Sequence, residues 1–222
     1  MTAVLAILAK ELRVELRNKQ TINAYLLLSL LILASFRFSL ALFDPDYQTL
    51  AAPILWTTIF FSGMFSIAPS YRREAEQGTR DGLLLAPVPA SDVYLGKMLS
   101  SLVVLSALEA FTVAVFLAFF PVDVPEPGAL VALLALGTVG FVAVGSLIAA
   151  ISANLRQSEV MLPVLLVPVL LFTVVMSAVS GTAQVLTGAS LDGVAEEARL
   201  LAAFAVVFVA AGYLLIEYVM EG

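Results

Sequence analysis

Apolar residues fall into six long runs along the chain, and shorter polar segments separate them. Each run holds roughly 20 residues, the helical length that crosses a hydrocarbon layer about 30 Å thick. The runs cover residues 21–43, 50–70, 98–120, 129–151, 160–180 and 200–219. The pattern predicts an all-α integral membrane protein, with six transmembrane helices in a single domain formed by residues 1–222.

Residues 1–20 precede the first run and have an amphipathic pattern of their own. Four leucines fall on one face of a helix drawn through this segment, and three basic residues fall on the opposite face. The leucines are Leu5, Leu8, Leu12 and Leu16, and the basic residues are Lys10, Arg13 and Arg17. The pattern predicts an interfacial helix that lies flat on the membrane. The alternative is a basic flank that only orients the chain.

Charged residues are distributed unevenly among the segments that join the predicted spans. If the N-terminus is cytoplasmic, nine of the 11 basic residues fall in cytoplasmic segments, whereas the outer segments hold one basic and seven acidic residues. Because basic residues favour the cytoplasmic side, this asymmetry predicts that both termini are cytoplasmic. Residues 181–199 then form an external loop whose later part is a short surface helix, which Ser190 can cap.

The composition supports the membrane assignment and excludes several functions. Hydrophobic residues make up 61% of the chain and charged residues 13%, whereas about a quarter of the residues in a soluble domain are charged. Histidine and cysteine are absent, which removes the commonest ligands of metals and haem iron and the most usual general base. The Gly96-Lys97 pair lacks the upstream glycine of a nucleotide-binding P-loop. No enzyme activity is therefore expected of this chain.

Two charged residues lie inside predicted spans, Arg37 in the first and Glu109 in the third. A charge at such depth costs at least about 2.5 to 3.5 kcal/mol, so each needs a partner, a water-filled cavity or the interface. Together they form a candidate intramembrane polar site. Arg37, near the outer end of its span, can instead extend to the interface. For Glu109, a functional role and a satisfied packing contact weigh equally.

Spans four and five each carry residues that affect how helices pack. Small residues on span four predict a face on which neighbouring helices approach closely. Span five contains Pro163 and Pro168, each of which removes a backbone hydrogen bond and bends the helix, either as a hinge or to fit a neighbour. The small residues of span four are Gly137, Gly140, Gly145, Ser146, Ala149 and Ala150.

The predicted cytoplasmic loop at residues 71–97, YRREAEQGTRDGLLLAPVPASDVYLGK, carries eight charged side chains. Gly78 can end a charged helical turn, Pro87 can end a second short helix, and Ser91 or Asp92 can cap the helix that continues into span three. Three leucines of the second helix, at residues 83–85, then lie on a short projection. They either dock into a groove of a partner or lie among lipid headgroups.

This loop resembles the cytoplasmic loop of the ABC-2 type exporter permeases. The matching positions are Glu76, Gly78, Leu84, Pro87, Gly96 and Lys97. Among these permeases the chain is most similar to the CcmB family, the permease subunits of the cytochrome c maturation system. The stretches ELRVELRNKQ, ILWTTIFFSGMFS and LRQSEVMLPVLLVPVLLF extend the similarity over most of the chain. The resemblance implies a type V exporter-like fold in the bacterial inner membrane.

The resemblance also implies a set of partners. They are a second copy of the chain, an ATPase subunit (CcmA-like), two haem-handling membrane subunits (CcmC-like and CcmD-like) and a haem chaperone (CcmE-like), with no nucleic acid. ATP would bind the ATPase subunit, the complex would handle haem, and this chain would hold no cofactor. ATP hydrolysis would then drive release of the haem-loaded chaperone on the outer face. The implied ATPase-coupling residues are Arg72, Glu76, Gly78, Asp81, Leu83, Leu84, Leu85, Pro87 and Lys97.

Two other functions fit the same sequence. One is an ABC-2 permease that exports a lipid, a polysaccharide or a drug, with no connection to haem. The other is a membrane scaffold that transports nothing. The exporter predicts normal cytochrome c assembly in a strain that lacks the protein, which distinguishes it from a cytochrome c maturation permease. The scaffold predicts that ATP has no effect on the complex.

Overall fold

The computed structural model describes residues 2–43, 46–67, 88–152 and 174–221. These residues form seven α-helices and contain no strand. The helices are α1 (Thr2–Arg17), α2 (Lys19–Leu40), α3 (Tyr47–Ile67), α4 (Ala90–Phe119), α5 (Pro127–Ser152), α6 (Met176–Leu186) and α7 (Ala195–Glu221). The all-α class that the apolar runs predict is therefore confirmed for the described part of the chain.

Four of the described helices, α2, α4, α5 and α7, are long and apolar enough to cross a membrane. They correspond to the first, third, fourth and sixth predicted spans. The second predicted span corresponds to α3, a helix of 21 residues that is not one of these four. Most of the fifth lies at residues 153–173, outside the described residues, together with Pro163 and Pro168. Four candidate spans are thus present, and the count of six stays a prediction.

The chain changes direction at residues that cap or interrupt helices. Asn18 alone separates α1 from α2, and its side-chain amide donates a hydrogen bond to the Thr21 hydroxyl at 2.8 Å. Asp46 accepts hydrogen bonds from the Gln48 N–H and the Thr49 hydroxyl, at 3.0 and 2.6 Å, and so caps α3. Pro89 precedes the first residue of α4 without a side-chain cap, so the caps predicted at Ser91 and Asp92 are wrong.

The predicted external segment at residues 181–199 divides between two helices. Its first residues belong to α6, which ends at Leu186, and Gly188 then adopts a φ of 100° that favours glycine. Its last residues form the first turn of α7, which continues without a break to Glu221. The helix predicted on the surface is therefore part of the last long helix. Ser190 accepts hydrogen bonds from Gly193 and Val194 through its backbone carbonyl.

Helix α5 is the centre of the bundle. In its most apolar stretch 72% of the residues are buried, against 17% for α2 and 22% for α7. Two of its glycines lie directly under large side chains, Gly137 against the Trp56 indole and Gly145 against Ile67 of α3. The six small residues predicted to form a packing face on this helix are all buried. That prediction is confirmed, because small side chains let helix backbones approach closely.

Candidate functional site

The predicted coupling loop lies mostly outside the described residues. Residues 68–87 are not among them, so the roles given to eight of its nine coupling residues stay predictions. The eight are Arg72, Glu76, Gly78, Asp81, Leu83, Leu84, Leu85 and Pro87. The ninth, Lys97, lies in α4 and can be placed.

The Lys97 side chain is buried between α4 and α1. It is the eighth residue of α4, and its side chain is only 1% exposed. Its ammonium donates a hydrogen bond to Glu11 Oε1 on α1 at 3.2 Å, and the half-exposed Lys10 reaches the same oxygen at 2.9 Å. A buried charge is stable only when it is paired and hydrogen-bonded. This ion pair therefore fixes α1 against the beginning of α4.

The neighbouring residue, Gly96, brings the two helices into close contact. A Cβ atom at Gly96 would lie 2.7 Å from Cγ2 of Ile7 and 3.2 Å from the backbone carbonyl oxygen of Val4. The glycine is required because any side chain at this position would push α1 away. We call the contact between α1 and α4 the α1 dock. It consists of Val4, Ile7 and Glu11 of α1 and of Gly96 and Lys97 of α4.

The face of α1 that packs on α4 differs from the predicted leucine stripe. The buried positions are Glu11 and Glu15, one helical turn apart. Leu5 and Leu16 remain 55% and 66% exposed, which is the exposure that an interfacial helix requires. The face of α1 against α4 thus combines the apolar Val4 and Ile7 with the acidic Glu11. The predicted position on the membrane surface stays a prediction.

Replacing Gly96 by alanine is expected to lower the free energy of unfolding by about 1 to 3 kcal/mol, because the added methyl group overpacks the α1 dock. Gly128→Ala is the matched control, since a Cβ there meets no atom within 4 Å. Denaturation in detergent micelles, followed by circular dichroism, gives both values. Equal stability of the two variants would contradict the close contact between Gly96 and Ile7.

The beginning of α4 is also held by two further helices. The Tyr94 hydroxyl donates a hydrogen bond to the Ala143 carbonyl of α5 at 3.1 Å, and the ring of Tyr94 lies against Gly212 of α7. The tyrosine is fully buried. The first two turns of α4 therefore contact α1, α5 and α7 at once. A displacement of this segment would alter its contacts with all three helices.

Glu109 lies deeper in α4 and contacts α5. It is 5% exposed, and the Thr138 hydroxyl lies 2.6 Å from its Oε2. One turn further along α4, the hydroxyls of Thr112 and of Tyr25 on α2 form a hydrogen bond of 3.1 Å. Polar side chains thus link three of the four candidate spans at the same depth.

Arg37 lies near the end of α2 and contacts α3. Its guanidinium donates a hydrogen bond to the Tyr47 hydroxyl and lies over the ring, 5.0 Å from the centroid. The same ring packs edge-on against Phe120. Such contacts satisfy a partly buried cation. Arg37 and Glu109 have separate partners, so the structure does not join them into one polar site.

Gln48 joins three segments at the end of the bundle away from the α1 dock. Its amide donates to the carbonyls of Asp123 and Leu186, at 3.0 and 2.6 Å, and its Oε1 accepts from the Asp123 N–H at 3.1 Å. Nearby, the hydrogen bond from the Thr49 hydroxyl keeps the pKa of Asp46 below its usual range. The capping carboxylate is therefore ionised at neutral pH, which stabilises the start of α3.

Sequence reasoning identified Lys97, Arg37 and Glu109 but missed their partners. The partners are Glu11, Tyr47 and Thr138. Glu11 and Glu15 are spaced by four residues on an otherwise apolar and basic helix, and this spacing was the available signal for a buried acidic face. Tyr47 and Thr138 are ordinary residues in apolar surroundings, and no local pattern distinguishes them.

The four long apolar helices define the protein as a multi-pass membrane protein, and the part of the chain that the structure describes is helical between its connecting segments. Comparison with models of protein families matches residues 2–216 to the CcmB family, described as CcmB protein. The match covers nearly the whole chain, which therefore belongs to the CcmB family. A comparison with curated proteins found no match. Membership of this family supports a permease subunit of an ABC transporter in cytochrome c biogenesis and haem transport, within a system that includes an ATPase.

Proposed function

We propose that this chain converts ATP hydrolysis on a separate ATPase subunit into movement of the transmembrane bundle, and that this movement releases the haem-loaded chaperone on the outer face. The observation that carries the proposal is the buried pair of Lys97 and Glu11. Lys97 is the last residue of the predicted coupling loop. A force applied to the loop would therefore reach a point where α4 and α1 are bound together.

The contacts around α4 support a mechanical route through the bundle. Its first turns contact α1 at Gly96 and α5 at Ala143. Its middle contacts α5 again through Glu109 and Thr138. Because packed helices shift as rigid elements, displacement of α4 at one end would move α5 and α7 with it. The movement would reach the opposite end of the bundle, where Gln48 joins α3 to the last residue of α6 and to the segment that follows α4.

The topology belongs to the same proposal. Six spans of the ABC-2 type, with both termini in the cytoplasm of a bacterial inner membrane, place the coupling loop on the side where ATP is available. The distribution of charge supports this orientation, with nine of 11 basic residues on the cytoplasmic side. Two copies of the chain would form the permease, and CcmC-like, CcmD-like and CcmE-like proteins would bind it.

ATP and haem have different places in this proposal. The sequence contains no P-loop, so ATP hydrolysis is assigned to the CcmA-like subunit and this chain is not an enzyme. Haem is the cargo of the complex. The chain has neither histidine nor cysteine to ligate its iron. We therefore assign ligation of haem to the partner proteins and mechanical transmission to this chain.

Replacing Leu83, Leu84 and Leu85 together by alanine is expected to abolish co-purification of the ATPase and to reduce assembly of c-type cytochromes. The leucines of the predicted projection would be lost, and the spans would remain intact. A matched control replaces three exposed leucines elsewhere, Leu27, Leu31 and Leu42, which are 66%, 62% and 82% exposed. Retention of the ATPase by the loop variant, at the level of the control, would contradict the proposal.

An exporter of lipid is the second candidate, and an apolar groove favours it. The groove has a volume of about 560 Å³ and lies between α4, α5 and α7. Its walls are almost entirely apolar, as a lipid chain would require. If this candidate is correct, cells that lack the protein assemble c-type cytochromes normally. A scaffold that transports nothing predicts instead that ATP leaves the complex unchanged.

A further inference from the structure

Glu109 is a buried carboxyl group in the interior of a candidate span. It lies nineteen residues beyond Ala90 and ten residues before Phe119, the first and last residues of α4. At 1.5 Å per residue these separations are about 28 and 15 Å. Both water-facing ends of the helix are thus distant, and the side chain is 5% exposed. Water cannot stabilise a charge on this group in the observed conformation.

The hydrogen bonds of Glu109 distinguish between its two protonation states. Thr138 Oγ1 lies 2.6 Å from Oε2, and Oε1 has no hydrogen-bond partner among the residues that the structure describes. An ionised carboxylate would leave a charged oxygen unpaired. A carboxylic acid with its proton on Oε1 would still accept the hydrogen bond from the Thr138 hydroxyl at Oε2, and only an uncharged O–H group would remain unpaired. The uncharged form is much less costly to bury.

No cation in the described part of the chain lies close enough to balance a charge at Glu109. On α2 the titratable group that faces it is Tyr25, and Arg37 binds Tyr47 at the end of that helix. Helix α5 contains no titratable residue. The titratable residue of α3 is Tyr47, at its start. Helix α7 carries its titratable residues near its two ends, at 196–199 and 213–221, and α1 contacts the beginning of α4 through the α1 dock.

We propose that Glu109 is an intramembrane proton-binding site, whose carboxylic acid accepts a hydrogen bond from Thr138 and so links α4 to α5. The proton is bound while the two helices are packed together. It is released when they separate and water reaches Oε1, because water stabilises the carboxylate. The site takes up one proton and no other ligand.

Infrared spectroscopy of the full-length protein in phosphatidylcholine nanodiscs at pH 7 tests this site. The carbonyl band of a protonated carboxylic acid is separate from the bands of carboxylates and amides. The difference spectrum between the wild type and Glu109→Gln is expected to show loss of one acid band. The control is Glu126→Gln, the same chemical change at an exposed position, and it is expected to remove carboxylate bands only. Loss of carboxylate bands in Glu109→Gln would overturn the proposal.

A second variant covers the case in which Glu109→Gln does not fold. Thr138→Val preserves the shape of the side chain and removes its hydroxyl. The acid band is expected to move to higher frequency, because the carboxylic acid loses its hydrogen bond, and Thr138→Ser is expected to restore the wild-type position. An acid band that does not respond to Thr138→Val would overturn the assignment to Glu109. Neither variant alters the coupling loop, so binding of the ATPase serves as an independent measurement.

Discussion

Replacing Lys97 by glutamate is expected to lower the free energy of unfolding by about 3 to 5 kcal/mol, the cost of breaking a buried ion pair. Its side chain is 1% exposed, and its partner Glu11 is 6% exposed. The variant would place two carboxylates against each other in a region with little water. The expected result is that α1 leaves α4, which a protease or a label directed at α1 would detect.

Charge exchange tests whether this effect comes from the pair itself. In the double variant Glu11→Lys with Lys97→Glu, opposite charges meet again, and about 0.5 to 3 kcal/mol of coupling energy is expected to return. Lys10→Ala is the matched control. It removes a lysine that reaches the same oxygen but is 53% exposed, so a loss below about 1 kcal/mol is expected. Equal losses in Lys10→Ala and Lys97→Glu would refute the assignment.

Replacing Trp56 by alanine is the second change with a large expected effect, a loss of about 3 to 5 kcal/mol. The indole is fully buried, packs on Gly137 and stacks on Phe60 with a centroid distance of 5.2 Å. Its N–H donates a hydrogen bond to the Thr182 hydroxyl at 2.8 Å. The variant would open a cavity where α3, α5 and α6 meet. Trp56 is the only tryptophan, so the variant has no tryptophan fluorescence with which to follow unfolding. Circular dichroism is therefore the suitable measurement.

Two further variants divide this loss into its parts. Thr182→Val keeps the packing but leaves the indole N–H unpaired, and a loss of about 1 to 3 kcal/mol is expected. Phe61→Ala removes an aromatic ring of the same helix that is 54% exposed, and a change within about 0.5 kcal/mol is expected. If Phe61→Ala destabilises the protein as much as Trp56→Ala, then the contact between Trp56 and Gly137 does not organise the bundle.

The two groups of variants test different parts of the proposed function. The Lys97 variants alter the place where the coupling loop joins the bundle, and the Trp56 variants alter its centre. If α1 and α4 transmit movement together, then Lys97→Glu is expected to reduce cytochrome c assembly more than its loss of stability accounts for. Trp56→Ala is expected to reduce assembly only in proportion to the amount of folded protein.

Much of the fold was predictable because apolar length is a local property of the sequence. The four helices that can cross a membrane coincide with four of the predicted spans, and the small residues of α5 form the expected packing face. The helix starts were less accurate. Capping was expected at Ser91 or Asp92, whereas α4 begins directly after Pro89. A cap depends on backbone geometry that several neighbouring polar residues could provide equally well.

The candidate site was predictable only in part. Glu109 attracted notice because charges in apolar surroundings are costly and therefore conspicuous, and Lys97 because it matches the loop of the permease family. Their partners, Glu11 and Thr138, lie 86 and 29 residues away in the sequence. Such pairings depend on how helices pack, and the periodicity of a single helix does not contain that information. The leucines of α1 gave a clear pattern, yet the side chains shown to contact α4 are Val4, Ile7 and Glu11.

The sequence by itself determined that the chain is helical and apolar, that its charges are distributed asymmetrically, and that it resembles the CcmB permeases. Those properties depend on composition and short-range periodicity. Both can be read from neighbouring residues and do not depend on contacts with distant parts of the chain. The tertiary structure decided which charges are paired, which glycines admit a neighbouring side chain, and which carboxyl group is isolated from water. These outcomes require the close approach of residues from different helices, and burial of a polar group is stable only where such a partner is within hydrogen-bonding distance.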